Sequence, residues 1–233
     1  MKGFVDIHHH LVWGVDDGAK TAEDSRALLK RSAEQGVRVI IATPHVLSGI
    51  EPFPYKKFRE HFLELKRICK EENIPIKLLP GAEVFYTEHT LNMLLDKRIP
   101  TLNGTRFILI EFNEDVSWKS IEKAVRDLFN NGYRPIVAHI ERYSAVYSHR
   151  KQLRILREET GVKYQVNCGA VINPRSFWQK RFIEHMMKER LIDAVATDAH
   201  SMERRPPNML KAYKILKEKY GSEYAYKLTH FGF

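Results

Sequence analysis

The chain has 233 residues, 38 Lys plus Arg against 29 Asp plus Glu, a formal net charge of +9 and 43% hydrophobic residues, with 12 Phe, 10 Tyr and 3 Trp. Disorder is excluded, because apolar side chains in that number bury enough surface to offset the entropy of ordering. No stretch approaches the ~18 consecutive apolar residues of a membrane span, and the N-terminus lacks the ~7–15-residue apolar core of a secretory signal, so a cytoplasmic protein without membrane insertion is expected.

Short β-branched runs alternate with longer runs of helical period. Phe4–Ile7 reads as a strand and Thr21–Gln35 as a helix. Arg38–Thr43 with Tyr55–Glu72 and Ile76–Leu79 with Thr90–Asp96 repeat the unit, as do Phe107–Phe112 with Ser117–Asn131 and Pro135–His139 with Arg150–Thr160. Lys163–Asn167 with Arg175–Arg190 and Asp193–Thr197 with Pro207–Tyr220 complete seven. Thr21 followed three residues on by Asp24 is a helix-start signal, and Gly36, Gly132, Gly161 and Gly221 stand where helices stop. Strands such as Val39-Ile40-Ile41-Ala42 are continuously apolar, which suits burial on both faces of a parallel sheet. Alternating β and α units require such a sheet, and seven of them favour its closure into a barrel. No linker divides the chain, so residues 1–233 are expected to form one domain. Pro52 and Pro54 mark 49–55 as a loop that is a candidate for movement.

The chemistry appears when every His, Asp and Glu at the C-terminal end of a strand is marked. His8, His10 and Asp17 follow the first strand, His45 the second, Glu83 the third, Glu111 the fourth, His139 the fifth, and Asp198 and His200 the seventh. In parallel barrels the βα loops at that face build the active site. In His8-x-His10, and again in Asp198-x-His200, the period of two turns both side chains to one face. A His and carboxylate shell without thiolate suits Mn, Fe or Zn. Nine donors exceed the needs of one ion, and with some shared they serve two or three, ~3.5–4 Å apart, with an activated hydroxide between them. His9 should face the opposite way in a structural role, and Asp16 reads as a turn residue beside Gly18. His61, His89, His149, His185 and His230 lie in helical or tail segments, where surface or packing roles are expected.

Arg142 and Arg205 emerge from loops on the same face, where a guanidinium clamps phosphate oxygens. Arg204 competes with Arg205, and spacing does not separate them. The two cysteines, Cys69 and Cys168, form no C-x-x-C pair and are expected to be reduced. The C-x₅-R loop of a thiol phosphatase is missing, since Cys168 to Arg175 is one residue too long. Basic residues are dispersed among acidic ones, as in Lys56–Lys70 and Lys211–Lys219, with no aromatic and basic strip for a nucleic acid.

At these residues the sequence resembles the PHP (polymerase and histidinol phosphatase) superfamily, and within it the bacterial tyrosine phosphatases of capsule and exopolysaccharide operons, the CpsB, CapC and YwqE type. The matching stretches are Asp6-Ile7-His8-His9-His10, Gly14-Val15-Asp16-Asp17-Gly18-Ala19-Lys20-Thr21, Ala42-Thr43-Pro44-His45, Pro80-Gly81-Ala82-Glu83, Leu109-Ile110-Glu111-Phe112, Ala138-His139-Ile140-Glu141-Arg142-Tyr143 and Thr197-Asp198-Ala199-His200. The chain departs from the pattern at Trp13, at Ile140 and at Ser201-Met202-Glu203. The resemblance implies a distorted (β/α)₇ barrel with three divalent metals, usually manganese with iron, cobalt or zinc as alternatives. It places the metal ligands on the nine residues above and the phosphate-binding arginines on Arg142 and Arg205. The implied activity is hydrolysis of phosphotyrosine on the tail of a capsule-regulating tyrosine kinase by a metal-bridging hydroxide. Histidinol phosphate or another small phosphomonoester is the alternative substrate. Oligomeric state is not legible.

Overall fold

The computed structural model describes residues 3–232; Met1, Lys2 and Phe233, at the ends of the expected single domain, lie outside the described residues. Strand β1 (Phe4–His9) leads to helix α1 (Ala22–Glu34), and β2 (Val37–Ala42) and β3 (His45–Leu47) lead to α2 (Tyr55–Glu71). Next come β4 (Lys77–Pro80), β5 (Glu83–Phe85) and α3 (Thr90–Leu95), then β6 (Phe107–Glu111) with α4 (Trp118–Asn130), and β7 (Arg134–Val137) with α5 (Arg150–Thr160). Strand β8 (Lys163–Asn167) runs into α6 (Cys168–Ile172) and α7 (Phe177–Lys188), and β9 (Ala194–Ala196) is followed by α8 (Met209–Tyr220) and α9 (Ser222–Thr229). Thr21 caps α1 as expected: its side chain accepts from the Asp24 amide while Asp24 accepts from the Thr21 amide.

Every strand pair is parallel, in the orders β1-β2-β4 and β3-β5-β6-β7-β8-β9. The second and third expected strands are each broken in two. Pro44 has no N–H to give to a ladder, so β2 stops at Ala42 and pairing resumes at His45; the β4 to β5 break at Gly81 lies beside it, where the Glu83 amide donates to the Pro44 carbonyl at 3.0 Å. The ring closes between β9 and β1, where the Asp198 amide donates to the His8 carbonyl and the His10 amide to the Ala199 carbonyl, both at 2.9 Å. With β2/β3 and β4/β5 each counted as one stave, the result is a distorted seven-stave barrel. Helices α6 and α9 were not legible in the sequence; Gly221 ends α8 as expected but opens α9 directly.

Inside the barrel, Ile7, Ile41, Leu109, Ile136, Ala138 and Ala196 pack together. The opposite faces, such as Ile108 and Ile110 of β6, meet the helices. Strand β1 is irregular: Asp6 pairs with Ile40 and His9 with Ala42, so three steps along β1 match two along β2. This bulge lets Ile7 face the interior and His8, the next residue, face the catalytic end. His9 then points outward, its Nε2 3.3 Å from the Ser32 hydroxyl of α1, as the sequence led one to expect. Among the described residues no helix is long and apolar enough to cross a membrane.

Candidate metal centre

The nine expected ligands meet at the C-terminal ends of the strands. Glu83 stands at the middle, fully buried: its Oε2 is 3.0 Å from His8 Nε2, 3.2 Å from His10 Nε2 and 3.1 Å from His45 Nδ1. Its Oε1 lies 2.8 Å from His139 Nε2. Glu111 Oε1 is 2.6 Å from His45 Nδ1, and Asp198 Oδ1 is 3.4 Å from His8 Nε2 and 3.5 Å from His10 Nε2. At the rim, Asp17 Oδ1 is 3.3 Å from both His45 Nε2 and His200 Nε2.

These donors fall into three overlapping groups, each with its atoms within 4.8 Å of one another: His10, Asp17, His45 and His200; His8, His10, Glu83 and Asp198; and His45, Glu83 and Glu111. His10, His45 and Glu83 each belong to two. His139 belongs to none, but touches Glu83.

Divalent cations fit this arrangement. Three imidazole nitrogens surround Glu83 Oε2, yet none meets it with hydrogen-bond geometry, and the buried His200 Nε2 also has no hydrogen-bond partner among the described residues. Imidazole nitrogens crowded at 3.0–3.2 Å around one buried carboxylate oxygen form a donor set suited to a positive ion. The electrostatics agree. Burial would depress the His45 imidazole, but Glu83, Asp17 and Glu111 push it up to about 12. Burial likewise opposes protonation of His10, and Asp16 outweighs it, raising the group to about 9. Burial also works against ionising Glu83, but the imidazoles of His8 and His45 hold it well below the usual carboxylate range.

A second layer aims the imidazoles, and most of it was not legible in the sequence. His8 Nδ1 is 3.2 Å from Gln165 Oε1, an acceptor that fixes the ring proton on Nδ1 and leaves Nε2 free for a metal. The Gln165 amide donates to Asn167 Oδ1 at 2.8 Å, and the Asn167 amide donates to Asp198 Oδ2 at 2.7 Å, joining the candidate ligands His8 and Asp198 through one strand. Tyr143 Oη lies 3.2 Å from His139 Nδ1, and the Asp198 carbonyl 2.9 Å from His200 Nδ1. Asp16 is a turn residue, as read from the sequence, since its Oδ1 accepts from the Gly18 amide. It also does more: Oδ2 holds His10 Nδ1 at 2.8 Å and accepts from the His45 amide at 3.1 Å. Gly18 is required because a Cβ there would lie 2.2 Å from the His10 carbonyl oxygen. His61 is a packing residue, its ring stacked on Trp13.

Both expected arginines reach the centre. Arg142 Nη2 is 2.5 Å from Asp198 Oδ2, and Arg205 lies 3.2 Å from the same oxygen and 3.4 Å from Asp17. Of the two neighbours, Arg205 is the one paired with Asp198 and Asp17, whereas the Arg204 side chain makes no ion pair among the described residues. Neither cysteine belongs to the three donor groups. Burial pushes the Cys168 thiol well above its ordinary range and Cys69 up to about 11. Two cavities flank the metal centre, one of about 340 Å³ walled by Val15, Leu47, Pro52, Phe53 and Pro54, the other of about 330 Å³ beyond Arg142 and Arg205.

The family model for capsular polysaccharide synthesis, CpsB/CapC, matches residues 4–231. The chain belongs to the CpsB/CapC family. It is 39% identical over 229 residues to tyrosine-protein phosphatase CpsB of Streptococcus pneumoniae, covering 96% of this chain and 94% of that one. It is 33% identical over 225 residues to tyrosine-protein phosphatase YwqE of Bacillus subtilis, covering 97% and 88%. Among solved structures, a chain from those of YwqE from Bacillus subtilis and CpsB from Streptococcus pneumoniae, described as unique metal-dependent tyrosine phosphatases, superposes with a TM-score of 0.85 at 32% identity, covering 95% of this chain and 90% of that one. A histidinol phosphate phosphatase from Lactococcus lactis shares the fold, with a TM-score of 0.62 at 14% identity, covering 98% and 95%.

Proposed function

We propose that this CpsB/CapC family member is a metal-dependent protein-tyrosine phosphatase. Its ions are held by His8, His10, Asp17, His45, Glu83, Glu111, His139, Asp198 and His200. The observation that carries the reading is the sharing of His10, His45 and Glu83 among three donor groups, beside two arginines gathered on Asp198. Three groups support three ions, and the mixture of imidazole and carboxylate supports manganese, with iron, cobalt and zinc accepted by the same donors. When bound, such ions activate water at neutral pH and draw charge from the phosphoryl oxygens.

The chain's own residues do the rest. Arg142 and Arg205 present guanidinium N–H groups to the non-bridging oxygens and are held in place by Asp198 before substrate arrives, so little reorganisation is needed as charge develops. The tyrosyl ring lies in the cavity of Leu47, Pro52, Phe53 and Pro54, which the 49–55 loop helps to wall. Tyrosine leaves as a phenolate of pKa about 10, a far better leaving group than an alkoxide. Asp17 is 62% exposed, so the centre opens at the surface, where a phosphorylated side chain on a protein can reach it. The family's link to capsular polysaccharide synthesis supports the tail of a capsule-regulating tyrosine kinase as that protein.

The test is elemental analysis of the purified protein, followed by metal-reconstituted assays on a phosphotyrosine peptide and on histidinol phosphate. Phosphate release from the peptide, lost on chelation, is expected. Turnover of histidinol phosphate in preference to the peptide overturns the substrate assignment.

A further inference from the structure

The 330 Å³ cavity beside Asp198 has no part in the reaction just described. Arg142 and Arg205 form the wall that it shares with the metal centre, and Arg175, Arg204, Glu141 and Asn208 also line it. A larger cavity, about 570 Å³, lies next to it between α7 and α8 and shares the walls formed by Ala170, Ile172 and Asn173.

Two cations in this cavity are uncommitted. Arg142 and Arg205 are tied to Asp198, but Arg175 meets only Glu114, at 3.2 Å, with both side chains about two-thirds exposed. An ion pair in water of that kind contributes little and exchanges readily for a better partner. Arg204 has no ion pair among the described residues. The wall thus offers the guanidinium N–H groups of Arg175 and Arg204 to an anion, which a peptide with an acidic side chain near the phosphotyrosine supplies. Burial pushes the Glu141 carboxyl up to about 7, so near neutral pH it opposes that anion only in part.

We propose that this cavity is a substrate subsite in which Arg175 and Arg204 hold an anionic side chain, a carboxylate or a second phosphate, borne by the substrate within a few residues of the phosphotyrosine. The proposal rests on the phosphatase reading and adds a sequence preference to it.

The manganese-loaded wild-type protein is assayed on phosphotyrosine peptides carrying Asp, Glu, a second phosphotyrosine, Ala or Lys at each flanking position, with p-nitrophenyl phosphate as a substrate too small to reach the cavity. An anion at the right position should raise kcat/KM roughly threefold to tenfold over Ala, mainly through KM, as expected for one or two charge-assisted contacts. Lys should lower it. The preference should fade towards ~1 M salt, where the Debye length is ~3 Å. A gain with Asp and Glu alone assigns the site to carboxylates, and a gain with the second phosphotyrosine alone assigns it to phosphate. R175A/R204A should erase the preference while p-nitrophenyl phosphate turnover is unchanged, and R175E/R204E should favour the Lys peptide. Equal kcat/KM for acidic and neutral peptides in the wild type, or a preference that survives in R175A/R204A, overturns the subsite. Failure of the wild-type protein to hydrolyse p-nitrophenyl phosphate or any peptide overturns the phosphatase reading instead.

Discussion

A metal ligand is useful only if its lone pair faces the ion, and here that depends on residues that never touch the metal. Gln165, Asp16, Tyr143 and the Asp198 carbonyl each occupy the Nδ1 of one imidazole, leaving Nε2 of His8, His10, His139 and His200 turned to the centre. Tyr143→Phe removes one such partner with little change of volume. It should weaken metal binding about 10- to 100-fold, read by calorimetric titration of the metal-free protein, with the fold retained by circular dichroism. An affinity equal to wild type would refute the role. The thiols give a complementary prediction. Both are protonated at neutral pH and lie outside the donor set, so iodoacetamide should leave activity largely intact and a strong chelator should abolish it. The candidate donors were legible one by one because a His or carboxylate at a strand end is conspicuous. Gln165 and Asn167 were not, although two amides at alternate positions of β8, one on each side of buried Val166, were a signal to follow. Tyr143 was hidden because a buried Tyr in a turn looks like any packed aromatic.

At the scale of elements, the strands carry the site to one end, and their irregularities aim it. Seven staves were legible from continuous apolar runs, but the breaks were not: Thr43-Pro44 and Gly81-Ala82 look like strand ends until Glu83 and His45 pair beyond them. The β1 bulge was equally invisible, because it depends on the register against β2 and not on β1's own pattern. Two of the proposed ligands sit in strained backbone, His139 at φ 30° and Asp198 at φ 52°, as each leaves its strand. Such conformations persist only when the surrounding packing over-determines them. That packing is the inner cluster beneath the site, where Leu109 is fully buried with Ile7 and Ile136. Leu109→Ala should cost about 2–5 kcal/mol, measured as a lower urea midpoint at unchanged slope. Thr21→Ala, which removes a cap whose hydrogen bonds run to Asp24 and to none of the nine donors, should cost about 1 kcal/mol. The two together separate damage to the site's floor from loss of stability alone: metal affinity should fall in the first variant and hold in the second.

For the molecule as a whole, the metals should act as a keystone, because the donors come from staves at opposite ends of the sequence and an ion bound among them ties those staves together. Metal that binds only the folded chain stabilises it by RT ln(1 + [L]/Kd), about 2.7 kcal/mol at a hundredfold excess over Kd. In a protein of this size each kcal/mol moves Tm by roughly 2–4 °C, so manganese should raise Tm by about 5–11 °C and a chelator should return it. The shift should depend on pH in a definite direction. In the metal-free protein burial disfavours the charged His10 imidazole, but Asp16 raises it to about 9, above the ordinary 6.5. The proton on His10 therefore stabilises the metal-free fold fully below about pH 6.5, and that contribution is lost as pH rises through 9. A metal must displace the same proton, so its affinity grows over the same interval. The manganese-induced rise in Tm should accordingly be smallest near pH 6 and increase towards pH 9. Differential scanning calorimetry at matched free metal tests this, and a shift that is constant or declines with pH would show that protons and cations do not compete for the imidazoles at the centre.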